Sequence, residues 1–231
     1  MSNAKKLYKR EVYKTKSDWL EHRGFGGSSA SAILGKNPWQ NILELYKSIV
    51  MKIPKKVNDA NEALQYGTRC EDLIRRMFAL DFQDKYKVFA PNNREMYRRK
   101  DKPYLTATLD GRIIDINDHS KKLILEIKTH DIRNRKDDEY WKGAIPDNYF
   151  IQCLHYLMVM NDYDGVILVA KLRYFDYYHE GGKKLLRQEL RYYFIDREEV
   201  KDQLVYLEQK ETDFWENNIQ KKVMPKLSIS L

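Results

Sequence analysis

The stretch that decides the fold of this chain is TATLDGRIIDINDHSKKLILEIKTH, residues 106–130. Its pattern predicts two β-strands joined by a polar turn at residues 117–120, with Asp110 entering the first strand. Because successive side chains of a strand point to opposite faces, Glu126 and Lys128 of the second strand share one face. Charged groups in so apolar a run are costly unless a partner such as a metal ion or a phosphate compensates them. The stretch therefore predicts a functional site.

Asp110 and Glu126-Ile127-Lys128 together form the pattern D-x15-E-x-K. Two carboxylates supply the hard oxygen ligands that Mg²⁺ or Mn²⁺ prefers, and a lysine can orient or deprotonate a water and offset phosphate charge. The same letters also occur on the solvated faces of surface hairpins. The pattern alone leaves both interpretations open.

A third acid lies on a predicted helix at residues 61–80. At helical spacing Glu71 shares an apolar stripe with Leu64, Gly67, Ile74 and Phe78, so its carboxylate faces inward and requires a partner. The alternative is an acid at the edge of the stripe that reaches solvent. A later helix, predicted at residues 146–160, places Gln152 and Tyr156 next to each other on one face.

A glycine-rich turn at residues 24–27 precedes Ser28 and Ser29. The pattern predicts a turn that opens a helix, with one of the two serines as the N-cap. The free N–H groups and the dipole at a helix N-terminus favour an anion, so this segment is a candidate phosphate site. A simple turn and cap is the alternative.

Polar segments flank the predicted hairpin on both sides. Five basic residues lie between positions 94 and 102 and are candidates for phosphate contacts. Residues 129–142 predict a mobile loop over the site, in which Tyr140 and Trp141 would stack on bases. Further along, the pattern predicts a strand at residues 165–170 that is buried on both faces.

The last elements predicted are an outer strand at residues 189–195 and a final helix. Asp196 and Glu199 have the spacing of a capping box for that helix.

Composition restricts the class of partner. The chain has 231 residues and a net charge of +8, which favours a polyanion such as nucleic acid. Its cysteines, Cys70 and Cys153, lie far apart in sequence and are predicted to be buried thiols rather than a disulfide or a metal pair. No apolar run is long enough for a membrane span or a signal peptide, so a cytoplasmic protein is expected.

The predicted organisation is a basic N-terminal arm at residues 1–16, one domain at residues 17–220 and a C-terminal tail at residues 221–231. Residues 2–4, Ser-Asn-Ala, have the composition of an expression scar, and no prediction rests on them.

The order of these motifs resembles the RecB-type branch of the PD-(D/E)XK nuclease superfamily. The segment from Trp19 to Ser28 narrows the resemblance to the lambda-type phage exonucleases, also called YqaJ-like viral recombinases. The resemblance spans about residues 19–172. It departs from the family pattern at Leu109, where a proline often stands, and at Ser29 and Leu154.

The resemblance implies an α/β fold of the restriction-endonuclease type, with a mixed central sheet flanked by helices. It implies that Asp110, Glu126, Glu71 and the carbonyl of Ile127 bind Mg²⁺, for which Mn²⁺ can substitute, and that Lys128 positions the attacking water. It further implies contacts to DNA or to its phosphates from Arg23, Ser28, Ser29, Thr108, Gln152 and Tyr156.

The family's reaction is the hydrolysis of one strand of duplex DNA from a 5′ end. This leaves a 3′ overhang for a single-strand annealing protein in phage-type recombination and repair, and the family often forms trimeric rings. The alternatives are a catalytically inactive DNA-binding module with the same fold and a RecB-like or Cas4-like nuclease of other polarity. Two cysteines cannot supply the four-cysteine iron–sulfur cluster usual in the Cas4-like proteins.

Overall fold

The computed structural model describes residues 6–53, 62–176, 180 and 182–226. The Ser-Asn-Ala segment and the end of the predicted tail lie outside these residues. The described strands are β1 (Tyr8–Val12), β2 (Tyr86–Phe89), β3 (Glu95–Arg99), β4 (Thr106–Ala107), β5 (Gly111–Asp115), β6 (Lys122–Ile132), β7 (Gly165–Asp176) and β8 (Lys184–Asp196).

Helices pack on both faces of the main sheet. The described helices are α1 (Lys16–Glu21), α2 (Gly27–Ile33), α3 (Ile42–Val50), α4 (Glu62–Asp81), α5 (Arg135–Tyr140), α6 (Asp147–Val159) and α7 (Lys201–Phe214), which continues into a π-helical turn at Trp215–Ile219. Within the described residues, no helix has the length and apolar character to cross a membrane.

The main sheet has five strands in the order β2-β5-β6-β7-β8. Strand β6 runs parallel to β7, and the other neighbours are antiparallel. This mixed sheet with flanking helices confirms the predicted fold class. The predicted hairpin is β5 and β6, whose pairing ends where Gly111 faces Leu125.

The two faces of β6 belong to two separate apolar cores, as strand alternation requires. Leu125 and Ile127 pack with Ile74 and Phe78 of α4 on one side. Ile124 belongs to the other core, which contains most of α6. Glu126 and Lys128 therefore project towards α6.

A second sheet contains part of the segment that was predicted as a basic N-terminal arm. Strand β1 pairs with β3, and β3 pairs with β4, both antiparallel. Arg98 and Arg99 of β3 are held by internal partners, Arg98 by Glu11 and Arg99 by Asp101. The prediction of an arm is therefore wrong for Tyr8–Val12, and these two arginines serve the sheet rather than a phosphate.

The glycine turn is fixed by close packing. A Cβ at Gly24 would lie 2.3 Å from the carbonyl oxygen of Tyr104, and one at Gly27 would lie 2.2 Å from Cγ of Gln152. Helix α2 has Gly26 as its N-cap, with no side-chain capping bond. The predicted serine cap is thus wrong, because the close approach to α6 and β4 decides where the helix begins.

A buried histidine links α6 to helix α7 and to strand β4. His155 of α6 is fully buried, with Nδ1 2.8 Å from Oε1 of Glu211 on α7 and Nε2 2.9 Å from the carbonyl oxygen of Thr106. Burial opposes its charge, but the carboxylate of Glu211 and the carbonyl raise the pKa of His155. The ring then donates two hydrogen bonds and fixes β4, the strand just before Asp110.

Two further predictions of local structure are wrong. Residues 129–142 are not one loop, because β6 continues to Ile132, α5 follows, and Trp141 is a core residue that is 1% exposed. Helix α7 begins with Val200 as its N-cap and no side-chain cap. The carboxylate of Asp196 instead accepts from the N–H of Glu198. Both cysteines are buried and free, as predicted.

Candidate active site

Asp110 lies directly before β5, beside the point where β6 leaves its pairing with that strand. Its Oδ2 accepts the backbone N–H of Ile127 at 2.8 Å. The guanidinium of Arg75 donates to the backbone carbonyl of Asp110 at 2.9 Å. The end of the hairpin thus brings the first predicted acid to the strand that carries the second.

Glu126 is 1% exposed, and its Oε1 forms an ion pair with Nζ of Lys128. The same ammonium lies 5.3 Å from the centroid of the Tyr149 ring on α6. The Lys128 side chain is 18% exposed, so the ion pair lies at the boundary between core and solvent. Sequence alternation predicted this shared face correctly.

The cluster contains more carboxyl groups than cationic groups. Burial, and after it repulsion from Asp110, raises the pKa of Glu126 to about 8. Burial also raises the pKa of Asp110, although Lys128 and the N–H of Ile127 oppose the shift. Burial works against the charge of Lys128, but attraction to Glu126 and Asp110 outweighs it and raises the pKa of the ammonium. A bound cation would relieve this imbalance.

Glu71 completes the cluster from α4. Its pKa is raised to about 6, first by burial and then by repulsion from Asp110, while Lys128 and Arg75 act in the opposite direction. The prediction of an inward-facing acid is consistent with these interactions. Arg75, four residues later, was not predicted as part of the site, but its side chain is only 12% exposed and contacts Asp110. The spacing of four from Glu71 was the signal for its inward position.

The donor set fits a hard divalent cation. Oε2 of Glu126 is buried without a hydrogen-bond partner among the described residues. Ile127 lies beyond the last β5–β6 pair, and its carbonyl points to the same strand edge as its N–H, which is the edge that Asp110 occupies. Carboxylate and carbonyl oxygens are the ligands that Mg²⁺ takes.

The acids are nevertheless not arranged as a finished cage. In the part of the chain that the structure describes, no three His, Cys, Asp or Glu side chains stand close enough together to hold one ion. Lys128 engages one oxygen of Glu126. Cation binding therefore requires side-chain adjustment around Glu126 and Glu71.

Helix α6 connects this cluster to the glycine turn. Nε2 of Gln152 donates to the hydroxyl of Tyr156 at 2.6 Å, as their predicted spacing requires. Burial, followed by the charge of Glu126, raises the pKa of Tyr156, which therefore lies next to the cluster. Gln152 also packs against Gly27. One face of α6 thus contacts both predicted sites.

Three of the predicted phosphate-binding residues, Arg23, Ser28 and Ser29, lie at the glycine turn, and the fourth, Thr108, lies two residues before Asp110. Ser28 is exposed, Ser29 and Thr108 are partly exposed, and Arg23 is exposed. A Cβ at Gly26 would lie 3.6 Å from a terminal nitrogen of Arg23, so the guanidinium lies over the turn. Nδ2 of Asn37 donates to the backbone carbonyl of Ser28 at 2.9 Å. This contact does not involve the hydroxyl of Ser28.

Two solved structures share this arrangement of strands and helices. An alkaline exonuclease, LHK-Exo, from Laribacter hongkongensis superposes with a TM-score of 0.54 at 14% identity, covering 90% of this chain and 97% of that one. A phage-related exonuclease from Haemophilus somnus 129PT gives a TM-score of 0.50 at 16% identity, covering 92% and 91% of the two chains. The fold is that of the phage-type exonucleases.

The particular family follows from sequence. The model of the YqaJ-like viral recombinase domain matches residues 18–163. The chain is also 26% identical over 208 residues to YqaJ of Bacillus subtilis strain 168, an uncharacterized protein. That match covers 89% of this chain and 57% of the relative. The chain belongs to the YqaJ-like viral recombinase domain family.

The electrostatic imbalance predicts that Glu71→Gln stabilises the metal-free protein at pH 8. The carboxyl has an ordinary pKa of 4.5 and a folded pKa of about 6. Its unfavourable contribution is therefore absent below pH 4.5, grows as the pH rises to about 6 and stays constant above that. We expect a gain of about 1 kcal/mol at pH 8 and a smaller one at pH 5, measured by urea unfolding in EDTA.

The matched control is Glu199→Gln, since Glu199 is an exposed acid outside the cluster. It should leave the free energy of unfolding within about 0.5 kcal/mol at both pH values. A Glu71→Gln protein that is less stable than the wild type at pH 8 would show that Glu71 has a favourable partner and no strained carboxylate.

Proposed function

We propose that this protein is a Mg²⁺-dependent exonuclease that hydrolyses phosphodiester bonds of linear duplex DNA. The observation that carries the proposal is the grouping of Asp110, Glu126, Glu71 and Lys128 at one edge of the central strands, with the pKa of each carboxyl raised. Perturbed groups of this kind concentrate at functional sites. Membership of the viral recombinase family and the exonuclease fold support the same reaction. We assign it to residues 17–220.

Asp110, Glu126 and the carbonyl of Ile127 would hold the metal, with Glu71 as a further direct or water-mediated ligand. When bound, Mg²⁺ supplies Lewis acidity towards the phosphate and lowers the pKa of a water. Oε2 of Glu126, which is buried and receives no N–H donor from the described residues, supports this assignment.

Lys128 carries its proton, since two carboxylates raise the pKa of its ammonium. We therefore assign it to orienting the attacking water and offsetting phosphate charge by donating hydrogen bonds, rather than to removing a proton. Tyr149 packs against the ammonium and limits its movement. Gln152 and Tyr156 form the neighbouring wall, where we place contacts to the DNA.

The finer features of the reaction are part of the proposal. Digestion runs from 5′ to 3′ and leaves 3′ overhangs for a single-strand annealing protein, in the cytoplasm of a phage host. The net charge of +8 supports a polyanionic substrate. The proposed assembly is a homotrimeric ring that encloses the duplex. Light scattering at micromolar protein concentration tests it by measuring the molar mass in solution.

Substitution of the cluster should abolish cleavage. Asp110→Asn, Glu126→Gln and Lys128→Met should each reduce digestion of linear duplex DNA by about 100-fold or more, because each removes a metal ligand or the charge opposite the phosphate. EDTA should stop the wild type. Gel analysis of strand-labelled duplexes measures the rate and shows which end is digested.

Asp115→Asn is the matched control, because Asp115 is the same residue type at the other end of β5, where its Oδ1 accepts the backbone N–H groups of Asn117 and Asp118 in the turn. It should leave the rate unchanged. Near-normal cleavage by purified Asp110→Asn or Glu126→Gln would remove this cluster from the reaction. Binding of DNA without cleavage under any divalent metal would favour the inactive DNA-binding module.

We also propose that the glycine turn holds a terminal 5′-phosphate through Ser28, Ser29, Arg23 and Thr108. Duplexes with 5′-phosphates should then be digested faster than duplexes with 5′-hydroxyls under single-turnover conditions. Ser28→Ala should narrow that ratio by an amount equivalent to about 1 to 3 kcal/mol, the cost of losing a hydrogen bond to a charged group.

Ser120→Ala, at an exposed serine in the β5–β6 turn, is the control and should keep the wild-type ratio. Equal rates on the two kinds of end in the wild type would reduce the glycine turn to a packing element between α2 and α6.

A further inference from the structure

The exposed indole of Trp39 lies outside the residues assigned to the proposed reaction. Its residue is 61% exposed, whereas Trp141 is 1% exposed. So large an apolar ring contributes little to the core at that exposure. Trp39 lies on the short connection between α2 and α3, on the same side of the molecule as the glycine turn.

The backbone around Trp39 is tied down on two sides. Asn37 accepts the N–H of Trp39 at 2.8 Å and donates to the carbonyl oxygen of Ser28 at 2.9 Å. Lys36 forms an ion pair of 2.9 Å with Asp147 in the first turn of α6. The indole is therefore presented by a connection anchored to both α2 and α6.

One aromatic ring separates Trp39 from the catalytic cluster. The centroids of Trp39 and Tyr149 are 6.3 Å apart with the rings inclined at 42°, so the two are not stacked and the exposed face of the indole is unused. Tyr149 also packs against the core residue Trp141, with centroids 5.5 Å apart, and its ring centroid lies 5.3 Å from the ammonium of Lys128. A nucleobase is joined to its phosphate through one sugar, so a phosphate held beside Lys128 brings a base to these rings.

We propose that Trp39, supported by Tyr149, is a stacking platform for the nucleobase adjoining the phosphate held at the cluster. This inference rests on the proposed function, because it takes the polynucleotide that the acids and Lys128 would cleave. Stacking on an aromatic face accepts every base, which suits digestion without sequence preference. The anchored connection supplies the ring without a large cost of ordering it.

A double-mutant cycle on binding tests the platform directly. The probes are two 5′-phosphorylated single-stranded oligonucleotides, one intact and one with an abasic site in place of the terminal base, titrated in EDTA so that no metal-dependent cleavage occurs. The proteins are the wild type, Trp39→Ala and Trp39→Phe. Fluorescence anisotropy of a 3′ label gives the dissociation constants.

Trp39→Ala should weaken binding of the intact oligonucleotide about tenfold, within the range for one base stacked on an aromatic ring. It should change binding of the abasic oligonucleotide less than twofold, and Trp39→Phe should recover most of the affinity. Quenching of tryptophan emission by the intact oligonucleotide should disappear in Trp39→Ala. Tyr206→Ala, at a 56% exposed aromatic residue on α7, is the matched control and should bind both probes as the wild type does.

Equal losses for both probes would show a structural role for Trp39 and overturn the platform, as would an absence of binding by the wild type. The two proposals fail separately. Normal cleavage with no coupling between Trp39 and the terminal base overturns the platform alone. Coupled binding in a protein that never cleaves DNA overturns the hydrolysis alone.

Discussion

The burial of Glu126 beside Asp110 is the constraint on which the rest of the site depends. The carboxylates of Asp110, directly before β5, and of Glu126, within β6, repel each other, and the ammonium of Lys128 offsets only part of that repulsion. Such a cluster persists only because the surrounding structure determines it, with the β5–β6 hairpin on one side and α6 on the other. The raised pKa values of the carboxyl groups reflect that cost, and a cation at the proposed metal site would relieve it.

Helix α6 carries the geometry from this cluster to the surface. Its Gln152 closes on Gly27, its Tyr156 lies beside Glu126, and its His155 fixes β4 through Thr106. These contacts explain why the turn needs glycine at the point of approach. They also explain why the proposed phosphate site and the proposed metal site share one helix face, so that an end held at the turn sets which bond reaches Lys128.

The parts of the site that could be predicted are those governed by local periodicity. The period of two along β6 placed Glu126 and Lys128 together, and the helical period of α4 turned Glu71 inward. The failures come from contacts between distant segments. Part of the predicted arm forms strand β1, which pairs with β3. Trp141, which was predicted to lie in a loop, is buried in the core. The partners of Trp39 lie on α2 and α6, so no local pattern singled it out as a residue close to the cluster.

Thermal unfolding with and without divalent cation tests the central claim most directly, because a ligand that binds only the folded state raises the unfolding midpoint. Millimolar Mg²⁺ or Mn²⁺ should raise the midpoint of the wild-type protein by several degrees in a concentration-dependent way. It should leave the Glu126→Gln midpoint unchanged, while Asp115→Asn responds as the wild type does. Equal shifts in the wild type and Glu126→Gln, or no shift in either, would contradict the account that this acid cluster is a cation site.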